Sequence, residues 1–303
     1  MKRLLLALYR TRGIAFVPAM AILLANLFVP DLIQDAVARR VWIVFALVAL
    51  AVLLLCFALT LFGHRLLPHR EPRRVASPVR GRWLGMNSPA TKVPSHGVRL
   101  YGQAYAIDLV AEPDGSARPE FGTGGAMRAV EEYPALGEPV FAMVDGVVVR
   151  ASDRMRDHRA RSNLLGYVFM NVESVIREFG GPGFIFGNHV MIRSDDGVYA
   201  TVAHLQRGSV EVRGGDRVRA GDRLGRCGNS GNSSEPHVHA QLADRKSLRI
   251  AHGLPMVFEE VVLGDSADPG DGVPRTGEHM IAGCEEQLQD DRPSEQGERK
   301  PSV

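Results

Sequence analysis

The chain divides near residue 63 into an apolar amino-terminal part and a mixed, glycine-rich remainder. Residues 41–62 (VWIVFALVALAVLLLCFALTLF) contain no charged side chain and are long enough, as a helix, to cross a hydrocarbon layer of roughly 30 Å. Residues 14–33 form a shorter apolar segment that Pro18 and Pro30 interrupt. This segment is a second span, one that enters the membrane without crossing it, or an uncleaved signal-like partner of the second segment in a hairpin. We therefore expect one or two transmembrane helices before residue 63.

The basic residues around these segments give conflicting indications of orientation. Four of them precede residue 14, and six arginines lie between residues 65 and 82. With two spans, the positive-inside rule places both flanks in the cytoplasm, together with the domain that follows. With one span, the amino end stays inside and the domain is exported, although its flank is basic. Long domains can translocate despite flanking charge, so the charges alone do not distinguish a cytoplasmic from an exported domain. The location of the substrate has to distinguish them.

Short β-type segments separated by glycine and aspartate follow one another beyond residue 93. The segments PVFAMVDGVVVRA and HVMIRSDDGVYATVAHL are examples, and helical stretches are few. This spacing predicts a mostly β domain over residues 93–263, built as an antiparallel sandwich or barrel. Residues 154–183 interrupt the rhythm, and we interpret them as an insertion with one helix near Tyr167–Phe179.

The segments on either side of this domain have other compositions. Residues 63–92 are rich in proline and arginine with little periodicity, which predicts a linker next to the membrane. Residues 264–303 are acidic, polar and without a periodic apolar face, which predicts a disordered tail.

Charge and cysteine content exclude several function classes. The 36 basic and 34 acidic residues leave a net charge of only +2, so we expect no nucleic-acid partner. The three cysteines, Cys56, Cys227 and Cys284, form no C-x-x-C pair. They therefore support neither a disulfide scaffold nor a thiolate zinc site.

Candidate chemistry is concentrated in the histidines near residue 240. In PHVHAQL, the two-residue period of a strand places His237 and His239 on one face, an arrangement that suits a metal site. Such pairs on protein surfaces are usually inert, so the pair alone is a weak signal. A third histidine, His204, ends the predicted strand VYATVAHL. A turn-rich segment then leads to the histidine pair.

The order of these segments resembles the LytM-like, or lysostaphin-type, zinc metallopeptidases of family M23, which cut peptide bonds in bacterial peptidoglycan. The resemblance covers about residues 93–245 and implies the duplicated hybrid motif fold of that family. It rests on four motifs in the same order as in the family, which are GNHVMI at 187–192, DGVYATVAHL at 196–205, VRGGDRVRAGDRLG at 212–225 and GNSGNSSEPHVH at 228–239.

The resemblance also implies the site residues. Asp108 and His239 fall on two zinc ligands of the family, and His204 and His237 fall on the two histidines that handle the water and the oxyanion. At the third ligand position, four residues before Asp108, this chain has Ala104 instead of histidine. Either another side chain supplies that ligand or the site is degenerate.

His96 is the nearest upstream histidine and our candidate for the missing ligand. Gly97 and Gly102 lie between it and Asp108, which allows a loop to bring the imidazole back to the metal. We therefore predict a zinc site of His96, Asp108 and His239. The competing interpretation is a turn histidine that stays at the surface.

Taken together, the motifs and the apolar segments predict a membrane-anchored zinc metallopeptidase that acts on peptidoglycan peptides. Its partners are then the lipid bilayer and the cell wall, and a wall substrate requires an extracytoplasmic domain. The alternative is a degenerate M23-like binding module that regulates other cell-wall hydrolases. A biotinyl or lipoyl carrier is excluded because no lysine lies between Lys92 and Lys246. The bond that is cut and a regulatory membrane partner stay open.

Overall fold

A computed structural model describes residues 2–113, 115 and 118–283. Its amino-terminal part consists of three helices, α1 (Lys2–Ala25), α2 (Val29–Leu32) and α3 (Ala36–Phe62). The Asp35 carboxylate caps α3 by accepting a hydrogen bond of 2.7 Å from the backbone N–H of Ala38. Both long helices, α1 and α3, are long and apolar enough to cross a membrane.

The two long helices form an antiparallel hairpin. At one end, the Trp42 indole donates to the Asn26 side chain at 2.9 Å. At the other end, Gly63 lies against the ring of Tyr9. The predicted bounds of the first apolar segment, residues 14–33, are wrong, since α1 begins at Lys2 and ends at Ala25. The part of α1 before residue 14 contains Arg10, which contacts the β domain.

The remaining helices are α4 (Leu164–Gly180) and α5 (Pro182–Phe186), and short 3-10 turns cover Gly63–Leu66, Leu100–Tyr105, Val130–Glu132 and Leu248–Ile250. The strands are β1 (Arg73–Val75), β2 (Gly81–Met86), β3 (Ile107–Ala111), β4 (Met127–Arg128), β5 (Pro139–Phe141), β6 (Gly146–Ser152), β7 (Ala160–Arg161), β8 (His189–Ser194), β9 (Tyr199–Ala203), β10 (Arg217–Val218), β11 (Arg223–Arg226), β12 (Val238–Ala243), β13 (Gly253–Leu254), β14 (Met256–Leu263), β15 (Gly270–Gly272) and β16 (His279–Ala282).

Most strands join one large sheet in the order β1-β14-β16-β2-β3-β12-β9-β8-β6-β10, with β13 beside β12 and β15 beside β14. Every pairing in this sheet is antiparallel except that of β1 with β14. The core combines residues of this sheet, such as Leu109 and Ile192, with Val140 and Leu224 of the separate β5–β11 pair. The prediction of a mostly β, antiparallel fold is confirmed.

Two predicted segment boundaries are wrong. The supposed linker of residues 63–92 contains β1 and β2, and residues 264–283 of the supposed disordered tail contain β15 and β16. The reason is that β2 and β16 pair with each other, with Met280 opposite Trp83, and both side chains are buried. The sheet therefore extends from Arg73 to Ala282, and residues 284–303 lie outside the described residues.

The predicted helix of the insertion is confirmed. It was expected near Tyr167–Phe179, and α4 runs over Leu164–Gly180. It begins at Asn163, whose side chain accepts a hydrogen bond of 3.1 Å from the backbone N–H of Gly166.

Contacts between α1 and the β domain use residues from the basic flank of α1. The Arg10 guanidinium pairs with Asp244 at 2.6 Å and donates to the carbonyl of Ile250 at 2.9 Å. The Tyr9 ring stacks on His252 with the centroids 5.0 Å apart. These arginine and tyrosine contacts bind the helical hairpin to the β domain.

The pairing of β2 with β16 yields a stability prediction. Met280 is fully buried, whereas the neighbouring Ile281 is 42% exposed. Met280→Ala should cost about 2–5 kcal/mol, because it removes buried methylene groups and leaves a cavity, and it should lower the Tm of the full chain by at least about 4 °C. Ile281→Ala is the matched control and should shift the Tm much less. Equal shifts for the two variants in thermal unfolding would contradict a structural role for β16.

Candidate metal centre

The centre of the site is a pair of side chains on neighbouring strands. Asp108 of β3 and His239 of β12 are directly opposite each other in the antiparallel register. Opposite side chains in such a pair are close enough to touch. The His239 Nδ1 atom lies 2.9 Å from Asp108 Oδ1, and both residues are buried.

His96 reaches the same carboxylate from a loop. Its Nε2 atom lies 3.1 Å from both Asp108 oxygens. The loop returns to this point because the backbone N–H of Ser95 donates to the carbonyl of Ala104 at 3.1 Å. His96 thus stands beside the position at which the family resemblance implies a histidine and this chain has alanine. The sequence-based prediction that a loop brings His96 back to Asp108 agrees with this geometry.

A tight turn between His96 and Asp108 makes this approach possible. Tyr101 and Gly102 adopt positive φ values of 57° and 81°. A Cβ atom on Gly102 would lie 3.0 Å from the Gln241 side chain. Gln241 needs that space, because its Nε2 donates to the carbonyl of Tyr101 at 3.0 Å. Glycine at position 102 therefore serves both the turn and the close approach of β12.

Hydrogen bonds orient both imidazoles. The Oε1 atom of Gln241 lies 3.0 Å from His239 Nε2, which fixes that nitrogen as the donor and leaves Nδ1 for Asp108 and a metal. In His96, Nδ1 lies 3.1 Å from the Ser95 hydroxyl, which leaves Nε2 free in the same way. Each ring can therefore present the lone pair of one nitrogen to a metal at the centre, whereas the hydrogen bonds of these nitrogens with Asp108 require a hydrogen there when no metal is bound.

These three side chains fit a tetrahedral zinc ion. Ligand atoms of His96, Asp108 and His239 all lie within 4.8 Å of one another. Zinc bonds of about 2.0–2.2 Å in a tetrahedral site place ligand atoms about 3.3–3.5 Å apart. The nitrogen–oxygen distances of 2.9 and 3.1 Å are a few tenths of an ångström shorter, so a small outward shift accommodates the ion.

The surroundings of Asp108 keep it ionised. Burial alone would raise the pKa of this carboxyl group, but His96 and His237 nearby and the hydrogen bonds with His239 and His96 lower the pKa well below its ordinary value. Asn87 adds a further donor, with its Nδ2 atom 2.7 Å from Asp108 Oδ2. A buried carboxylate with this many partners is a ready ligand for a divalent cation.

Two further imidazoles border the three candidate ligands. His204 follows β9, and His237 directly precedes β12. Their ring centroids are 4.7 Å apart, and the His237 Nε2 atom lies 3.6 Å from Asp108 Oδ1. His237 Nδ1 is 2.8 Å from the carbonyl of Glu235, and His204 Nδ1 is 2.7 Å from the carbonyl of Ser230. A carbonyl oxygen can only accept a hydrogen bond, so Nδ1 of each ring carries a hydrogen and donates it. The Nε2 atom of each ring is not used by these bonds.

His204 is held in an unusual environment. Its φ of 63° lies in the left-handed region, which costs a residue with a Cβ atom about 1–2 kcal/mol. Its backbone is fixed by a bond from its N–H to the carbonyl of Phe186 and by one from the N–H of Gly228 to its own carbonyl. Burial, together with the nearby His237 and His239, lowers the pKa of His204 well below the ordinary value. This lowered pKa favours the neutral form of the ring.

All five side chains predicted from the sequence lie together in this cluster, which consists of His96, Asp108, His204, His237 and His239. Their roles as ligands and catalytic groups stay predictions. Sequence reasoning missed the groups that orient them, namely Asn87, Ser95 and Gln241 and the carbonyls of Ser230 and Glu235. Only Gln241 had a detectable signal, because it continues the alternation of His237 and His239 along β12.

Comparison with known proteins identifies a family. Residues 128–250 match Peptidase family M23. This match contains His204, His237 and His239, and it begins after His96 and Asp108. The glycyl-glycine endopeptidase ALE-1 of Staphylococcus capitis is 37% identical over 119 residues, which are 39% of this chain and 25% of that protein. The chain thus spans about a quarter of the length of this relative.

Solved structures of lower sequence identity are also similar. The catalytic domain of lysostaphin from Staphylococcus simulans is 19% identical, with a TM-score of 0.31 over 57% of this chain and 88% of that one. Csd3 from Helicobacter pylori is 16% identical, with a TM-score of 0.29 over 56% of this chain and 32% of that one. The family match and the relative from Staphylococcus capitis thus agree that this part of the chain is similar to peptidase family M23.

Proposed function

We propose that this protein is a membrane-anchored zinc metallopeptidase that hydrolyses peptide bonds in peptidoglycan. The observation that carries the proposal is the convergence of His96, Asp108 and His239 within 4.8 Å, with two more imidazoles beside them. The substrate class is supported by the relative whose name is glycyl-glycine endopeptidase. Lysostaphin, a solved neighbour, is described as an antimicrobial peptidase.

The chain's own residues divide into a metal-holding and a proton-transferring group. His96 Nε2, an oxygen of Asp108 and His239 Nδ1 would hold the zinc, and three protein ligands are the number that hydrolytic zinc sites use. Zinc, when bound, supplies a Lewis acid that polarises the scissile carbonyl and acidifies the attacking water. The Nε2 atom of His204 would accept a proton from the attacking water and then pass it to the amine that leaves when the peptide bond breaks. His237 would donate a hydrogen bond from Nε2 to the oxyanion, which requires a hydrogen on both of its ring nitrogens.

We further propose that the domain is extracytoplasmic, as a cell-wall substrate requires. Because α1 and α3 form an antiparallel hairpin, the amino end then lies outside with the domain and α2 lies inside. The flanking arginines are engaged in the folded protein, which weakens their value as markers of the cytoplasmic side. Arg10 pairs with Asp244, and Arg73 pairs with Asp196. Long domains also translocate largely regardless of charge.

Zinc stoichiometry of the purified full chain tests the ligand set. The wild-type chain should bind one zinc ion, and His96→Ala should weaken binding at least about a hundredfold, since even a residue that only orients a ligand contributes about 10- to 100-fold. His69→Ala is the control, because the His69 side chain is 89% exposed. The measurement is metal analysis after dialysis against a weak chelator, with circular dichroism to verify the fold. If His96→Ala retains stoichiometric zinc, His96 is not a ligand.

Hydrolysis of purified peptidoglycan tests the reaction. The zinc-loaded full chain should release new amino groups, and His204→Ala should reduce the rate about a hundredfold or more by removing the proton acceptor, while zinc stays bound. His69→Ala again serves as the control. A zinc-loaded chain that releases no amino groups, or a wild-type chain that binds no zinc, would instead favour the degenerate binding module that Ala104 suggests.

Cysteine labelling of intact cells tests the orientation. Leu32 in α2 is 78% exposed, and Phe121 in the β domain is 55% exposed. Each is replaced by cysteine in a chain with Cys284→Ser, where Cys56 and Cys227 are buried. A membrane-impermeant maleimide should modify Phe121→Cys and leave Leu32→Cys unmodified until the membrane is permeabilised. The reverse pattern would place the domain in the cytoplasm and exclude peptidoglycan as the substrate.

A further inference from the structure

Helix α4 exposes its apolar side. Six large side chains along its length are between 59% and 75% exposed, namely Leu164, Leu165, Val172, Val175, Ile176 and Phe179. A helix on the surface of a water-soluble domain normally turns such residues to the core and its charged residues to the solvent. The arrangement in α4 is the opposite, so the environment of its outer face should be apolar.

The polar side of α4 holds the helix in this orientation. Glu173 pairs at 2.6 Å with Arg161, which is 5% exposed, and the Ser174 hydroxyl donates to the Asn232 side chain at 2.7 Å. Near the end of the helix, the Tyr101 hydroxyl donates to Glu178. Rolling the helix to bury its apolar face would break these contacts and leave Arg161 buried without its partner. The exposed apolar face is therefore a fixed feature.

The same parts of the domain contact both α4 and the amino-terminal hairpin. The turn Leu100–Tyr105 meets Glu178 of α4 through Tyr101, and it meets α1 at Gly13 through Leu100. The turn Leu248–Ile250 accepts a hydrogen bond from Arg10 of α1 at the Ile250 carbonyl. Its Arg249 side chain lies against Gly181, the residue that ends α4. The carboxyl end of α4 thus lies close to the turns of the domain that contact α1.

Positive charge adjoins this end of the domain. Arg245, Lys246 and Arg249 are exposed and lie in or next to the turn that contacts α1. Basic side chains beside an apolar helix face are the combination that binds an interface of anionic headgroups and acyl chains. A second copy of this chain could cover the apolar face, but it would not explain why basic side chains lie next to that face.

We propose that α4 lies in the lipid interface and docks the β domain on the bilayer surface. This inference rests on the proposed anchoring through α1 and α3. A helix of this kind buries its apolar face about 5–10 Å deep at the boundary of headgroups and acyl chains. Ser174 of α4 is bonded to Asn232, and the Phe186 ring of α5 lies 5.3 Å from the His239 ring. Docking of α4 therefore holds the site close to the membrane, within reach of peptides at the bilayer surface.

Spin labels on the full chain in phosphatidylethanolamine and phosphatidylglycerol liposomes test this inference. Ile176, Leu54 of α3 and Phe121 are each replaced by a labelled cysteine in a chain with Cys56→Ala, Cys227→Ala and Cys284→Ser. The label at Ile176 should collide with oxygen more than with a water-soluble nickel complex, as the label at Leu54 should. The label at Phe121, which serves as the aqueous control, should show the opposite preference.

Three results would overturn the inference. A label at Ile176 that behaves like that at Phe121 places α4 in water, and one shielded from both reagents places it against protein. In both cases, a label at Leu54 that is found in lipid would still support the anchoring through α1 and α3. A label at Leu54 in water contradicts the anchoring and, with it, the docking.

A measurement on the native chain avoids any effect of the cysteine replacements on folding. A photoactivatable phospholipid in the same liposomes should modify the tryptic peptide of residues 162–177, which contains most of α4, as well as the α3 segment. Modification of α3 alone would contradict docking of α4.

Discussion

The pairing of β3 with β12 is the constraint on which the whole site depends. It sets Asp108 directly opposite His239 in a buried part of the sheet, and a register slip of one residue would leave the two side chains on opposite faces. A carboxylate taken out of water must be hydrogen-bonded or paired with a cation. Histidines and an asparagine surround Asp108 for this reason, and the same arrangement creates a place for a divalent metal.

A ligand that comes from a loop needs more support than one on a strand. His96 takes its position from the bond between Ser95 and Ala104 and from the turn at Gly102. Gln241 then connects that turn to β12, since it bonds both the Tyr101 carbonyl and the His239 ring. One side chain therefore orients the candidate ligand on the strand and holds the loop that carries the other candidate ligand. This coupling allows the site to keep its geometry although position 104 has no imidazole.

Sequence patterns predicted the residues of the site better than the limits of the domain. His204, His237 and His239 lie in motifs with local alternation, and Asp108 followed from the family resemblance. The strands β2 and β16 were missed because each is short and becomes buried only against the other, as Trp83 does against Met280. Their pairing joins opposite ends of the domain sequence, and no local pattern reveals such a contact. The carbonyls that orient the histidines were missed because any residue type supplies a carbonyl.

Two features that conflict with simple sequence rules have one physical explanation. Arginines flank α1 on the side where an exported domain would lie, and α4 turns its apolar residues outwards. The positive-inside rule assumes that flanking basic residues are free to mark the cytoplasmic side. The rule for amphipathic helices assumes that the outer face of a surface helix meets water. Arg10 serves the contact between helix and domain, and in the proposed docking on a membrane the exposed outer face of α4 would meet lipid. The polar contacts of α4 with Arg161 and Asn232 are then what an interfacial helix requires, because its inner side packs on protein while its outer side lies in an apolar phase.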